Sequence, residues 1–242
     1  MNLIVDVGNT SVKVAVFELD RIVFSVVFNK RIILSELKKI IKKYKISKGI
    51  LSSVASISEK KVQKLQNLIK LTRVSSTTKV PFVNLYKTPT TLGVDRIALV
   101  SGAVKIYSNK NVLVIDAGTC ITFDFVNSKK EYLGGAISPG INLRYKALNK
   151  FTAKLPLLDK KEINYFVGKS TEESMHSGVI NGVTKELDGV ILDYKEKYGD
   201  LTVVLTGGDT NFLSKQLKSS IFANQNFLLQ GLNQLLIFNE NK

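Results

Sequence analysis

A chain of 242 residues, 44% hydrophobic and 8% aromatic, can bury a sizeable core, either as one large domain or as two modest ones sharing a ligand cleft. A single cysteine, Cys120, and a single histidine, His176, exclude a disulfide framework and a Cys/His zinc site, and the absence of a G-x-S-x-G elbow argues against a serine-hydrolase triad. The formal net charge of +15 favours a polyanionic ligand. Every apolar run stops far short of the ~20 residues that a membrane span needs, and no cationic leader precedes Asp6, so a cytoplasmic protein without a membrane segment is expected.

The first element is an apolar strand that reaches Asp6, turns through Gly8 and leaves as an alternating strand carrying Lys13. The turn Asp6-Val7-Gly8-Asn9-Thr10-Ser11-Val12-Lys13 reads in two ways. It is either a plain hairpin whose polar side chains satisfy the turn, or a phosphate cradle in which backbone N–H groups and small polar side chains face phosphate oxygens while Asp6 holds Mg2+ directly or through water. A third strand is expected over 22–28, then a helix capped by Ser35 and running to Tyr44. Its buried stripe is Leu37, Ile40, Ile41 and Tyr44, and Lys38, Lys39, Lys42, Lys43, Lys45 and Lys48 form a solvated face. No aromatic-rich basic groove accompanies these lysines, so nucleic acid is not the expected partner. A strand over 49–54 follows, then a helix capped by Ser58 with Val62, Leu65 and Ile69 inward.

Thr91-Leu92-Gly93-Val94-Asp95-Arg96 opens a helix carrying Ile97, Val100, Ala103 and Val104. Asp95 is either its cap or a carboxylate that takes a hydroxyl proton beside an anion-binding guanidinium, the pair that phosphate transfer to an alcohol needs. Residues 111–126 then repeat the pattern of 2–17, with Asp116-Ala117-Gly118-Thr119 in the place of the first turn, and a third strand is expected over 132–137. Three strands followed by alternating helices and strands thus occur twice. The pattern predicts a mixed α/β fold of two similar domains, 1–110 and 111–242, facing one another across a nucleotide cleft. Beyond the repeat lie Gly134-Gly135-Ala136-Ile137-Ser138-Pro139-Gly140, Thr152-Ala153-Lys154-Leu155-Pro156, and Ser170-Thr171, either of which can cap a helix. A strand over 202–206 ends in Thr206-Gly207-Gly208-Asp209, where glycines allow close approach to a nucleotide.

Taken in order, these motifs resemble those of type III pantothenate kinases, over residues 3 to about 232. The resemblance implies a duplicated ribonuclease H-like fold of the sugar kinase and actin superfamily, and ATP-dependent phosphorylation of pantothenate, the first step of coenzyme A synthesis. It implies Asp95 as general base, Asp6 to Lys13 and Thr119 at ATP, and Tyr86, Gly93, Val94, Asp95, Arg96 and Thr171 at pantothenate. It further implies Mg2+, a monovalent cation (K+ or NH4+) on Asp116, and a homodimer with Thr171 near its interface. Two rivals remain: another kinase or phosphohydrolase of the superfamily, and a non-catalytic relative that binds protein or nucleic acid.

Overall fold

A computed structural model describes residues 1–8, 11–53 and 57–240; Asn9 and Thr10 of the first turn lie outside the described residues. The chain divides into two compact units. One comprises Met1–Ser108, Lys130–Tyr132 and Asn226–Lys242, the other Asn109–Lys129 and Leu133–Gln225.

In the first unit, β1 (Asn2–Val7), β2 (Val12–Glu18) and β3 (Arg21–Phe28) form an antiparallel meander. Helix α1 (Ile33–Tyr44), β4 (Lys48–Ser53), α2 (Glu59–Gln66) and β5 (Lys70–Arg73) follow, and β4 and β5 join in parallel to give the order β3-β2-β1-β4-β5. Every residue of β1 is buried, which accounts for its unbroken apolar run around Asp6. Val5, Val7, Val12, Val14 and Leu51 meet Ile33, Leu37 and Ile40 of α1 and Leu65 of α2, so one face of the sheet is closed by these two amphipathic helices.

After β6 (Val83–Asn84) comes α3 (Val94–Ile106), buried from Arg96 to Val104. The second unit repeats the plan. It has β7 (Asn111–Ala117), β8 (Cys120–Val126), β9 (Glu131–Pro139), α4 (Ile141–Lys150), α5 (Thr171–His176), α6 (Gly182–Tyr198), β10 (Leu201–Thr206), α7 (Thr210–Leu213) and β11 (Phe222–Ala223). Its strand order is β9-β8-β7-β10-β11, the first sheet's order over again, with β6 added beside Glu131 and Tyr132 of β9. Two sheets with one connectivity are the duplicated ribonuclease H-like plan. Here Leu113, Ile115, Ile121, Phe123 and Leu205 pack against Tyr145, Ile180, Val183 and Leu187.

The last helix, α8 (Phe227–Glu240), belongs to the first unit, whereas a division near Lys110 assigns it to the second. The cause is its contact with α3. A Cβ on Gly102 would stand 3.0 Å from Gly231 Cα, and one on Gly231 would strike the Ala98 carbonyl, so the two backbones touch. Buried Asn233 fixes the register by accepting from Asn2 Nδ2 at 2.8 Å and donating to the Leu19 carbonyl at 2.8 Å. Two expected caps also differ. Ser35 lies inside α1, its hydroxyl donating to the Ile32 carbonyl at 2.8 Å, because a 3-10 turn capped by Asn29 starts the helix earlier. Ser58 holds the cap position of α2 but makes no side-chain capping bond.

Candidate active site

Asp6 stands near the end of β1, between Lys13 on β2 and Ser52 on β4. Residues in register on neighbouring strands present their side chains to the same face, so these three are grouped by the ladder itself. Burial raises the Asp6 pKa to about 6; the Lys13 ammonium opposes the rise, the Asp95 carboxylate adds to it, and the Ser52 hydroxyl opposes it weakly. The turn beyond closes through Gly8 N–H donating to the Ser11 carbonyl at 3.0 Å.

Asp95 is the second residue of α3. Gly93 occupies the cap position, and Asp95 Oδ1 accepts instead from the Arg96 N–H at 2.9 Å, so the capping explanation for Asp95 fails on position. Its carboxylate sits in the favourable field of the helix N-terminus and shares electrostatic surroundings with Asp6. Two carboxylates placed together call for a cation. Arg96 is buried, with its guanidinium 5.5 Å from the Tyr86 ring centre. Tyr86 stacks on Tyr132 at 6.0 Å, and Tyr132 meets Phe82 edge-on at 5.9 Å, so a row of rings holds the guanidinium plane.

In the second unit Asp116 stands next to the end of β7, with Thr122 of β8 and Thr206 of β10 in register on either side. The turn is shaped by Gly118 N–H donating to the Cys120 carbonyl at 3.0 Å, and by Asp209 N–H donating to the Ala117 carbonyl at 2.9 Å. Gly207 has φ +97, and a Cβ there would strike Asp116 Oδ1 and the Ala117 carbonyl, so only glycine lets this loop lie against the carboxylate. Lys160 pairs with buried Asp209 beneath it. Thr119 is exposed, and the Gly140 N–H donates to its carbonyl at 3.1 Å.

Thr171 opens α5 behind Ser170, whose hydroxyl accepts from the Glu173 N–H at 3.2 Å. It lines an apolar groove of about 930 Å³ with Arg144, Leu148, Phe151, Met175 and Val179. Below that groove the single histidine is committed to structure: Tyr145 Oη and His176 Nδ1 lie 2.7 Å apart, and both side chains are buried. Burial, with help from Lys161, lowers the His176 pKa against the pull of Glu172, while burial pushes Tyr145 up to about 12.

A family model described as type III pantothenate kinase matches residues 2–193. The type III pantothenate kinase of Christiangramia forsetii is 50% identical over 241 residues, covering 99% of each chain, and that of Bacteroides fragilis is 42% identical over the full length of both. This chain belongs to the type III pantothenate kinase family. It is therefore a phosphotransferase that passes a phosphoryl group from ATP to pantothenate, and the non-catalytic reading finds no support.

Solved structures bear on the fold of the kinase. A Campylobacter jejuni protein assigned to the Baf family of transcriptional activators superposes with a TM-score of 0.63 at 21% identity, covering 99% of this chain and 100% of that one. A glucokinase from an Antarctic psychrotroph does so with a TM-score of 0.53 at 12% identity, covering 98% of each. A nucleotide-dependent kinase of this fold works with a divalent metal. Among the described residues no group of three or more His, Cys, Asp or Glu side chains could hold a metal unaided. Asp6 nevertheless fits, because Mg2+ on a nucleotide takes one or two carboxylates and fills its shell with phosphate oxygens and water.

Of the kinase's sequence-predicted residues, the ladder groups Asp6 with Lys13, the start of α3 holds Gly93, Val94, Asp95 and Arg96, and Tyr86 joins Arg96 through its ring. Asp116, Thr119 and Thr171 belong to the second unit, where Thr171 lines the α4–α5 groove and Asp116 does not. Sequence reasoning missed Ser52 and Lys160, and assigned Thr206 no role beyond its glycine loop. Ser52 follows an apolar strand as any serine can, and only strand register reveals its neighbour.

Proposed function

We propose that Asp95 is the general base of this kinase and that Arg96 receives the pantothenate carboxylate. The observation that carries the reading is the start of α3, where a carboxylate in the field of Asp6 adjoins a buried guanidinium stacked on Tyr86. In the reaction the pantothenate hydroxyl oxygen forms a bond to the γ-phosphorus, the bond from that phosphorus to the β,γ-bridging oxygen breaks, and ADP leaves. The hydroxyl proton passes to Asp95. Gly93, Val94 and Tyr86 complete the acceptor site in the first unit, while the turn from Asp6 through Val7, Gly8, Asn9, Thr10, Ser11 and Val12 to Lys13 holds the phosphates of ATP. Mg2+, when bound, neutralises charge on the phosphate oxygens. Asp116 holds the monovalent cation, a role supported by the glycine loop that packs against its carboxylate and leaves no Cβ in the way.

We further assign the kinase to the cytoplasm and to a homodimer. No helix among the described residues is long and apolar enough to cross a membrane. The groove beside Thr171 carries Phe151 at 79% exposure, and a second copy of the chain is its proposed occupant.

The test is ADP release with ATP and Mg2+, with and without pantothenate, in potassium against sodium salts. Release should require pantothenate and rise with potassium. Asp95→Asn should keep the fold and ATP binding and lose about 10²–10⁴-fold in turnover; near-normal turnover would remove Asp95 from its role.

A further inference from the structure

Lys130, Glu131 and Tyr132 lead into β9 and belong to the first unit. The short strand β6 is hung on them. Val83 N–H donates to the Lys130 carbonyl at 2.9 Å, and Leu85 N–H donates to the Tyr132 carbonyl at 3.0 Å. β6 stands at the edge of its sheet, so β9 is the neighbour that holds it. One residue further on, Asn84 Oδ1 accepts from the Tyr86 N–H at 3.0 Å. The backbone that carries Tyr86 is therefore placed from Tyr132.

The side chains repeat this dependence. Tyr86 is half-buried between exposed Leu85 and Lys87, so enclosure alone does not set its ring. The Tyr132 ring does: it is fully buried, meets Phe82 edge-on at 5.9 Å and stacks on Tyr86 at 6.0 Å with the planes 23° apart. Tyr86 in turn lies 5.5 Å from the Arg96 guanidinium. A guanidinium held by its face presents its N–H edge to a planar anion, and two parallel hydrogen bonds to a carboxylate form only when that edge is correctly tilted.

We infer that Tyr132 is a positioning residue for the acceptor: through Tyr86 it sets the plane of the Arg96 guanidinium, and with it the preference of the kinase for an acceptor that ends in a carboxylate. This rests on the reading of Arg96 as the group that receives the carboxylate, and adds to it the residue that orients the receptor. A ring that served stability alone would change how much enzyme folds, and would leave the choice between acceptors as it was.

The test compares kcat/KM, read as ADP release, for pantothenate and for pantothenyl alcohol, which offers the same acceptor hydroxyl but has a neutral hydroxymethyl group in place of the carboxylate. The ratio of the two belongs to the folded enzyme, so partial unfolding of a variant does not alter it. The parent should favour pantothenate by about ten- to a hundredfold, the worth of charge-assisted hydrogen bonds to a carboxylate. Tyr132→Leu should lower this ratio at least about fivefold, because a small tilt of a positioning group is costly, and should leave the affinity for ATP at the parent value. Tyr132→Phe, which keeps the ring, should restore the ratio. Phe82→Leu, a milder change one ring further back, should lower it about twofold, and decides the matter where Tyr132→Leu does not fold. A parent-like ratio in Tyr132→Leu, or in Phe82→Leu where the former does not fold, would overturn the role of Tyr132, as would an equal loss in Tyr132→Phe and Tyr132→Leu. Arg96→Met with the ratio of the parent would instead overturn the reading of Arg96 and this inference together, whereas loss in Arg96→Met beside a parent-like Tyr132→Leu would leave Arg96 in place and remove Tyr132.

Discussion

Asp6 shows how one residue sets stability against function. Its pKa of about 6 in the folded protein, against an ordinary 3.8, means that the folded state holds this proton more tightly than the unfolded chain does. Stability therefore falls as pH rises from about 4 to about 6 and levels off above. The loss is on the order of 3 kcal/mol, the equivalent of about two pH units. Asp6→Asn removes the titration, so the ligand-free variant should unfold at a higher temperature than the parent, by a margin that opens between pH 4 and 6 and stays constant to pH 8. A margin independent of pH would show that burial does not hold the proton. The same substitution should abolish turnover, because it removes the carboxylate of the proposed phosphate turn. Asp6 and Asp95 were both legible in the sequence, as an acidic residue entering a glycine turn and another opening a helix. That they share one electrostatic environment was not, because 88 intervening residues carry no mark of it.

At the scale of elements, strands and amphipathic helices followed directly from period-2 and period-3.6 patterning, since one buried face imposes one period. Helix starts were less legible. Ser35 carries a capping signal, but Asn29, accepting from the Arg31 N–H at 3.0 Å, begins the turn six residues earlier, and both residue types satisfy the same rule. The contact of α3 with α8 depends on two glycines whose meaning appears only when the helices meet. Gly231→Val would push a branched side chain into the Ala98 carbonyl, and overpacking of this kind costs about 1–3 kcal/mol. The unfolding midpoint should fall by several degrees while the circular dichroism of the native state is kept; an unchanged midpoint would mean that the helices separate without cost.

For the molecule as a whole, the duplicated sheet order is the organising fact, and the proposed dimer is its most exposed expectation. Phe151→Asp places a charge on the apolar groove beside Thr171. Light scattering should report a dimer for the parent and a monomer for the variant, with the unfolding profile of the units kept. A monomeric parent would end the dimer reading, and a variant that stays dimeric would move the interface elsewhere.

The sequence by itself determined the repeat, the aspartate and glycine turns, and the motif order that marks the family. Each is local, written within a few residues. Only the tertiary structure decided that α8 belongs with the first unit, that Arg96 lies against Tyr86 in a row of rings reaching Tyr132, and that Ser52 and Thr206 stand beside Asp6 and Asp116. The physical reason is that strand register and backbone contact between distant segments depend on how whole faces fit together, and no period along the chain records that fit.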